Sequence, residues 1–512
     1  MKRLDYPWLG YTRLCYLFAV SYLGGCTLLP EEGRLIDAPR LEDFYTIEDI
    51  PLPAGLTPEV GGMDFMPDGR LMVAFHRGEV MIYDLATQKW SLFAEGLHDP
   101  LGVRVLSNHE ALVMQRPELT KLIDANRDGT AETYQTVTDD FGMSGNYHEF
   151  AFGPVADADG NLYLSLNCAS SNAGVWEEVR GPYNPLGHHK GMYSSVPYRG
   201  YVMKLTPEGK LIPFANGFRS PDGIGFDEQD NLFVTDNQGD WLGTSKLYHV
   251  EEGNFYGHPS SLVWRDGWNV DPLTVPVTTL DSLRTRAAVL FPHTIMANSP
   301  TQPLVIPDNT KFGPFAGQLL VGEMDYPRIM RVMLEKVRGE YQGACVNFLD
   351  SMQLSIGNHR MAFAPDGSLW IGKTAYVWVG DKGIQRVTYQ GGRPMDVLRM
   401  NVTPRGFDLT FTRPVDRTAA ADPATYYVQR YYYEYHQAYG SPQMDMAPVP
   451  VQAVTVSDDG TQVALTLPAL QPGYVYDVQI TDLQSEQGVP LVNNRLFYTL
   501  NNLPDDSLQA IR

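Results

Sequence analysis

Met63-Asp64-Phe65-Met66-Pro67-Asp68-Gly69-Arg70-Leu71-Met72-Val73 decides the fold: an apolar strand, a Pro-Asp-Gly turn, a second apolar strand. The phrase returns far down the chain as Met361-Ala362-Phe363-Ala364-Pro365-Asp366-Gly367-Ser368-Leu369-Trp370-Ile371. Four weaker copies lie between them. They run from Val103 to Met114 around Ser107-Asn108, from Phe150 to Leu166 around Asp159-Gly160, from Ile224 to Thr235 around Gln229-Asp230, and from Phe312 to Gly322 around Phe315-Ala316-Gly317. Each copy alternates with period two on either side of residues that accept tight turn geometry. Six hairpins predict radial repetition, which removes long exposed sheet edges. The expected fold class is therefore all-β, with a six-bladed β-propeller over residues 46–394. The loops 168–199 and 258–310 interrupt the spacing, and long loops on a rigid scaffold are where function concentrates.

Past residue 395 the texture changes. Phe407-Asp408-Leu409-Thr410-Phe411, Val463-Ala464-Leu465-Thr466-Leu467 and Tyr474-Val475-Tyr476-Asp477-Val478-Gln479-Ile480 alternate cleanly around turns such as Asp458-Asp459-Gly460. Strands at that spacing predict a small Ig-like β-sandwich over 397–500. The tyrosine-dense stretch from Tyr426 to Tyr439 is expected to pack within its sheets, with a carbohydrate-stacking platform as the alternative.

The start of the chain reads as an address. Lys2 and Arg3 precede a short apolar run from Leu14 to Leu23 that ends in Leu23-Gly24-Gly25-Cys26. The run is too short for a bilayer span and suits a signal-peptide core. Its last four residues resemble a bacterial lipobox, which implies lipidation at Cys26, a signal peptide over 1–26 and a tether over 27–45. The expected location is the cell envelope, as a periplasmic or outer-membrane lipoprotein held by its lipid anchor alone. A net charge of −21, from 39 Lys+Arg against 60 Asp+Glu, repels phosphate backbones and argues against nucleic acid as a partner. Four cysteines are too few for a disulfide scaffold or an iron–sulfur protein. Cys168 and Cys345 sit in apolar company and are expected to be buried thiols.

The densest polar cluster runs through Asn216-Gly217-Phe218-Arg219-Ser220-Pro221-Asp222-Gly223 and Asp236-Asn237-Gln238-Gly239-Asp240-Trp241. Asp236, Asn237 and Asp240 offer oxygen ligands that suit a hard cation such as Ca²⁺, or are turn formers. A second candidate is Asp124-Ala125-Asn126-Arg127-Asp128-Gly129. Its Asp124, Asn126 and Asp128 fall at positions 1, 3 and 5 of a Ca²⁺ loop, while position 12 is Gln135. His148 precedes the strand of a repeat unit, where axis-facing groups are expected and an imidazole can act as a general base.

Three phrases carry a family likeness. They are His148 ahead of Phe152-Gly153-Pro154, the Gly217-Phe218-Arg219-Ser220-Pro221-Asp222-Gly223 run, and Gly253-Asn254-Phe255-Tyr256-Gly257-His258-Pro259. Their order resembles the soluble quinoprotein glucose/sorbosone dehydrogenases. The chain from about 50 to 500 is more similar still to the predicted membrane-bound dehydrogenase propellers of planctomycetes and related bacteria. Gln115-Arg116-Pro117-Glu118-Leu119 and Lys311-Phe312-Gly313-Pro314-Phe315-Ala316-Gly317-Gln318 carry that second likeness. The resemblance implies a six-bladed propeller that holds pyrroloquinoline quinone (PQQ) and Ca²⁺, with His148 removing a sugar hydroxyl proton. It also implies cationic partners for the quinone carboxylates, here Arg219, Arg360, Arg116 and Arg77, with Asn237 as a further cofactor-binding candidate. The family's Asn-Gly-Gly after the histidine is Glu149-Phe150-Ala151 here, and its paired arginines before the last Pro-Asp-Gly reduce to Arg360.

Three functions compete. The first is a quinone-dependent dehydrogenase oxidising a sugar or sugar-derived alcohol, with His148 and Arg219 as catalytic residues. No Cys-x-x-Cys-His haem motif is present, so electrons would leave through an external acceptor such as a cytochrome or the quinone pool. The second is a metal-dependent hydrolase or lactonase of gluconolactonase-like type, using Asp236, Asn237 and Glu323. The third is a non-catalytic glycan- or protein-binding propeller, with Trp241, Trp264, Trp268, Tyr326 and Trp378 as stacking surfaces.

Overall fold

The Pro-Asp-Gly turns do what their residues dictate. In the first, Met66 N–H donates to Arg70 O at 2.8 Å and Gly69 N–H to Met66 O at 2.9 Å, with Gly69 at φ +88°. The strands then register as Phe65↔Leu71, Asp64↔Met72 and Met63↔Val73. Ala364 and Gly367 repeat the same pair of bonds at the other end of the propeller.

The structure, a computed structural model, describes residues 40–171, 180–308, 311–351, 353–376 and 379–505. Among them, six antiparallel sheets of four propeller strands each follow one another along the chain. The first strands of the blades are Val60–Phe65, Pro100–Ser107, Ala151–Ala156, Gly223–Phe226, Pro300–Val305 and Asn358–Phe363. Each packs against the first strands of the two neighbouring blades, so the six close a ring around one axis. The approach is tight enough to demand glycine: a Cβ on Gly102 would collide with the Gly153 carbonyl of the next blade. The ring is latched by Tyr45–Asp49, which pairs with Gly383–Tyr389 as the outermost strand of the sixth blade. This is the expected six-bladed propeller. Its fifth blade differs from the expected hairpin at 312–322, because the first strand is Pro300–Val305 and it pairs with Leu319–Glu323. Pro300 and Pro303 sit in that strand at a register shift, which hides it from a propensity reading.

Beyond the ring, Val397–Thr403, Gly406–Phe411, Gln462–Thr466 and Ala453–Val456 form one sheet of a sandwich. The facing sheet is Arg495–Leu500, Tyr474–Ile480, Tyr426–Tyr432 and Met444–Pro448, and it continues blade five. Gly343, Ala344 and Cys345 pair with Thr499, Tyr498 and Phe497, giving one eight-stranded sheet. The sandwich thereby covers an edge that would otherwise invite foreign strands. Its core of Phe407, Leu409, Val463, Leu465, Tyr476 and Val478 runs on into Met333, Ala344 and Val346 of the blade. A fully buried ion pair, Arg331 to Asp396 at 2.9 Å, sits at the same junction. Propeller and sandwich belong to one compact unit. Cys168 and Cys345 are free and buried, as expected. No helix among the described residues is long and apolar enough to cross a membrane. The signal segment, Cys26 and residues 27–39 of the expected tether lie outside the described residues, whereas the end of that tether is built into the fold as a 3-10 turn, Leu41–Phe44, and the first residue of the Tyr45–Asp49 strand.

Candidate functional site

A repeat places chemistry by register. The residue that follows the second strand of each blade is, in order, His76, Arg116, Asn167, Asn237, Met324 and Thr374. All but Arg116 line one cavity of about 330 Å³ at the mouth of the axis. The starts of the first strands add Leu101 and His359, and the loops that enter them add Phe150, Asp222 and Ser299. That volume lies at the small end of the roughly 300–1,000 Å³ typical of ligand sites.

His148 reaches this cavity on a loop tied down from inside. The Ser144 N–H and hydroxyl both donate to buried Glu149, at 2.7 and 2.6 Å. Asn146 Oδ1 accepts from His148 N–H at 3.0 Å and Ser170 N–H at 3.1 Å. The ring's Nδ1 lies 2.9 Å from Cys168 O, an acceptor only, so Nδ1 carries the proton and Nε2 presents its lone pair. Ser220 Oγ is 3.4 Å from that Nε2. Burial pulls the His148 pKa down to about 4, and Arg219 and Arg116 push the same way against the Cys168 hydrogen bond. His148 is therefore neutral at ordinary pH and ready to accept a proton.

Arg219 lines the cavity, and its Nε donates to Asp240 Oδ1 at 2.6 Å. Asp240 also meets His258 Nε2 at 3.2 Å. Burial works against the Asp240 charge, but His258 and Arg219 hold its carboxyl well below the usual range. Asp236 accepts from Ser220 N–H at 2.6 Å and Arg219 N–H at 3.1 Å, with Lys246 Nζ at 3.6 Å. It anchors the loop that carries Arg219 and does not line the cavity. Asn237 does, with Nδ2 donating to Ser299 Oγ at 3.0 Å and Oδ1 buried without a partner.

These placements correct several expectations. Asp236, Asn237 and Asp240 do not converge on one point: Asp236 accepts from two backbone amides beside Lys246, and Asp240 accepts from Arg219 and faces His258. No group of three or more His, Cys, Asp or Glu side chains among the described residues has metal-holding geometry. Glu323, offered for the hydrolase, accepts from the Ser299, Asn298 and Asp325 amides at 3.0–3.2 Å, and burial raises its pKa to about 7. Asp124, Asn126 and Asp128 lie in an outer loop of blade two. There Asp124 accepts from the Asp128 and Gly129 amides, both at 3.1 Å, and Asn126 Oδ1 accepts from Asp128 N–H at 2.8 Å. The four arginines do not gather either. Arg116 is paired with Asp99 at 2.6 Å. Arg360 is buried, donating to Gly61 O at 3.1 Å and His359 O at 3.0 Å beside Asp222. Arg77 is exposed beside Glu59. Of the aromatic candidates, Trp241 is buried against Tyr435, and Trp264, Trp268 and Tyr326 do not line the cavity. Trp378 lies outside the described residues.

Other groups emerge that the motifs did not announce. His76 Nδ1 lies 2.7 Å from Asp99 Oδ1, and its ring stacks on Tyr376 with centroids 4.6 Å apart. Its Nε2 is buried without a partner. His359 faces an acceptor at each nitrogen, Val60 O at 2.8 Å and Asp222 Oδ1 at 3.0 Å. A neutral ring can donate at only one of them, and burial and Arg360 pull the His359 pKa down while His359 and Arg360 hold the Asp222 carboxyl below its usual range. Asn167 Oδ1, Asn237 Oδ1 and Gln238 Oε1 are unpartnered buried acceptors in the cavity wall.

This donor set does not match a tricarboxylate quinone. Of the four arginines only Arg219 lines the cavity, and Asp240 already balances it, while Asp222 and Asp325 add carboxylates to the wall. Three carboxylates need cationic partners, and unpartnered amide oxygens offer them none. Those oxygens suit hydroxyl donors, and the Phe150, Tyr147 and Tyr376 rings suit the apolar faces of a sugar.

A family model described as Domain of unknown function (DUF7133) matches residues 83–373. No curated protein matches the chain. Among solved structures, the chain is similar to a putative oxidoreductase (glucose dehydrogenase) from Thermus thermophilus, at 18% identity and TM-score 0.46, over 67% of this chain and 99% of that one. It is similar to the PQQ-bound aldose sugar dehydrogenase of Streptomyces coelicolor at 16% identity and TM-score 0.45, over 67% and 98%. It is also similar to the apo-form of the soluble aldose sugar dehydrogenase of Escherichia coli at 13% identity and TM-score 0.46, over 67% and 99%.

Proposed function

The chain belongs to the family described as Domain of unknown function (DUF7133), and for this member we propose a sugar oxidoreductase working at the axial cavity. Its substrate is a neutral sugar or sugar-derived alcohol of about monosaccharide size. His148 Nε2 takes the hydroxyl proton while the hydride on the same carbon passes to a two-electron organic acceptor, leaving a carbonyl. The wall, with one balanced guanidinium and two carboxylates, favours a neutral or cationic acceptor. The names of the sugar dehydrogenases it resembles point to the same substrate class. The observation that carries the reading is the His148 tautomer: Nδ1–H is committed to the Cys168 carbonyl, so an unprotonated Nε2 sits in a cavity with unpartnered amide oxygens. The lipobox-like Leu23-Gly24-Gly25-Cys26 supports placing the protein in the cell envelope.

The test is dye-linked oxidation over a panel of neutral sugars and alditols, run with and without added PQQ and Ca²⁺. Turnover that falls by about 10²–10⁴ in His148→Ala supports the base. Stoichiometric quinone retention would overturn the charge argument and return the reading to a quinone enzyme. Sugar binding without turnover under any acceptor favours the second reading, a non-catalytic carbohydrate-binding propeller. That reading draws on the aromatic wall.

A further inference from the structure

The matched family segment ends at residue 373, yet the cavity wall does not. The sandwich strand Tyr435–Tyr439 pairs with Asp240–Leu242 of the propeller, aligning Tyr439 with Asp240 and Tyr435 with Leu242. Gly440 N–H continues the pairing by donating to Gly239 O at 2.9 Å. This arm brings Tyr439 to the cavity mouth, where it joins the lining. Gln238 Nε2 donates to the Tyr439 hydroxyl at 2.6 Å, and the Arg219 guanidinium lies over the ring at 5.5 Å from its centroid. The ring is thus held at its hydroxyl and on one face, and Tyr439 is still 66% exposed. Neighbouring Tyr435 behaves differently: it is buried and its hydroxyl donates to Gly257 O. One tyrosine anchors the arm, and the other leaves a fixed aromatic surface at the mouth.

We propose that Tyr439 is a specificity-determining residue, a platform on which the apolar C–H face of a ring-form sugar stacks, so that the sandwich selects cyclic sugars over open-chain alditols. The inference rests on the carbohydrate reading above and deepens it. An aromatic ring held before the ligand arrives costs little ordering on binding, and such contacts reward flat apolar faces. An acyclic alditol presents no rigid face and gains less.

The experiment is calorimetric titration of the purified protein with glucose, galactose, mannose and xylose and with their matching alditols. It is run on wild type, Tyr439→Ala, Tyr439→Phe and Gln238→Ala, with Tm recorded for each. Tyr439→Ala is expected to weaken pyranose binding about tenfold and alditol binding about twofold or less. Tyr439→Phe keeps the ring and is expected to stay within about threefold of wild type. Gln238→Ala frees the hydroxyl and also removes the Oε1 acceptor from the wall, so its loss is expected to fall on pyranoses and alditols alike, unlike that of Tyr439→Ala. Equal losses for both ligand classes in Tyr439→Ala, or a change there confined to Tm, would overturn the platform while leaving the carbohydrate reading standing. Absence of any sugar binding by wild type would overturn both.

Discussion

Of the imidazoles that line the axial cavity, His148 and His76 are backed by different chemistry. His148 gives its Nδ1–H to a backbone carbonyl, Cys168 O at 2.9 Å. His76 faces a carboxylate, Asp99 at 2.7 Å, which it shares with Arg116. A carbonyl selects the tautomer and does little more. A carboxylate also stabilises the imidazolium that appears when Nε2 gains a proton. One cavity thus holds a ring kept neutral by burial and another backed by a carboxylate, and only the first stands before a repeat strand where sequence reasoning looks for it.

The largest expected effect breaks the first member. His148→Ala should lower turnover on any accepted sugar by about 10²–10⁴, measured as dye-linked kcat, with sugar affinity within about threefold. His76→Ala should cost less, about tenfold, if its Nε2 binds a hydroxyl and does not abstract the proton. A larger loss than in His148→Ala would reverse the assignment.

The backing of the second member is next. Asp99→Asn leaves Arg116 facing a neutral amide in a nearly buried setting, with its side chain 12% exposed. Breaking such a pair costs about 3 kcal/mol, read as a fall in the denaturation midpoint. His148 has no side chain behind it whose removal could produce the same result.

pH separates the two states of His148. Its folded pKa is about 4 against 6.5 unfolded, so between these values the unfolded chain binds a proton that the native ring does not. The His148 contribution to stability is complete above about pH 6.5 and is lost toward pH 4, by up to about 3 kcal/mol. His148→Gln should flatten that slope in chemical denaturation series, and an unchanged slope would locate the acid sensitivity elsewhere.

The smallest effect sharpens the picture of Nε2. Ser220→Ala removes the hydroxyl 3.4 Å from it and leaves Asn167 Nδ2 without its 3.2 Å acceptor. About 1 kcal/mol of stability and less than tenfold in turnover should go. A collapse of turnover would mean that Ser220 orients the base.

The propeller was legible because its turns carry their own chemistry: Asp68-Gly69 and Asp366-Gly367 announce a hairpin wherever they occur. Pro300 and Pro303 concealed the one first strand that breaks the pattern. At the site, His148, Arg219 and Asn237 were within reach because each lies beside a repeat unit. His76 and Asn167 were equally within reach in principle, since each follows a second strand by one residue, and the register alone would have found them. Asp222 with His359 was not, because the partners stand 137 residues apart. The tyrosine stretch shows both outcomes. Tyr426 and Tyr431 pack inside as expected. Tyr439 leaves its domain for the cavity, a contact set by the docking of two sheets and invisible to local pattern.

The strand Tyr45–Asp49 closes the propeller by pairing with a segment more than three hundred residues away. It is made first, yet its partner Gly383–Tyr389 emerges only after the other propeller strands. Five blades can form from neighbouring segments, while the sixth waits for a loop of more than three hundred residues to close, the slowest kind of contact to make. Until then the ring is an open arc with two unpaired rims.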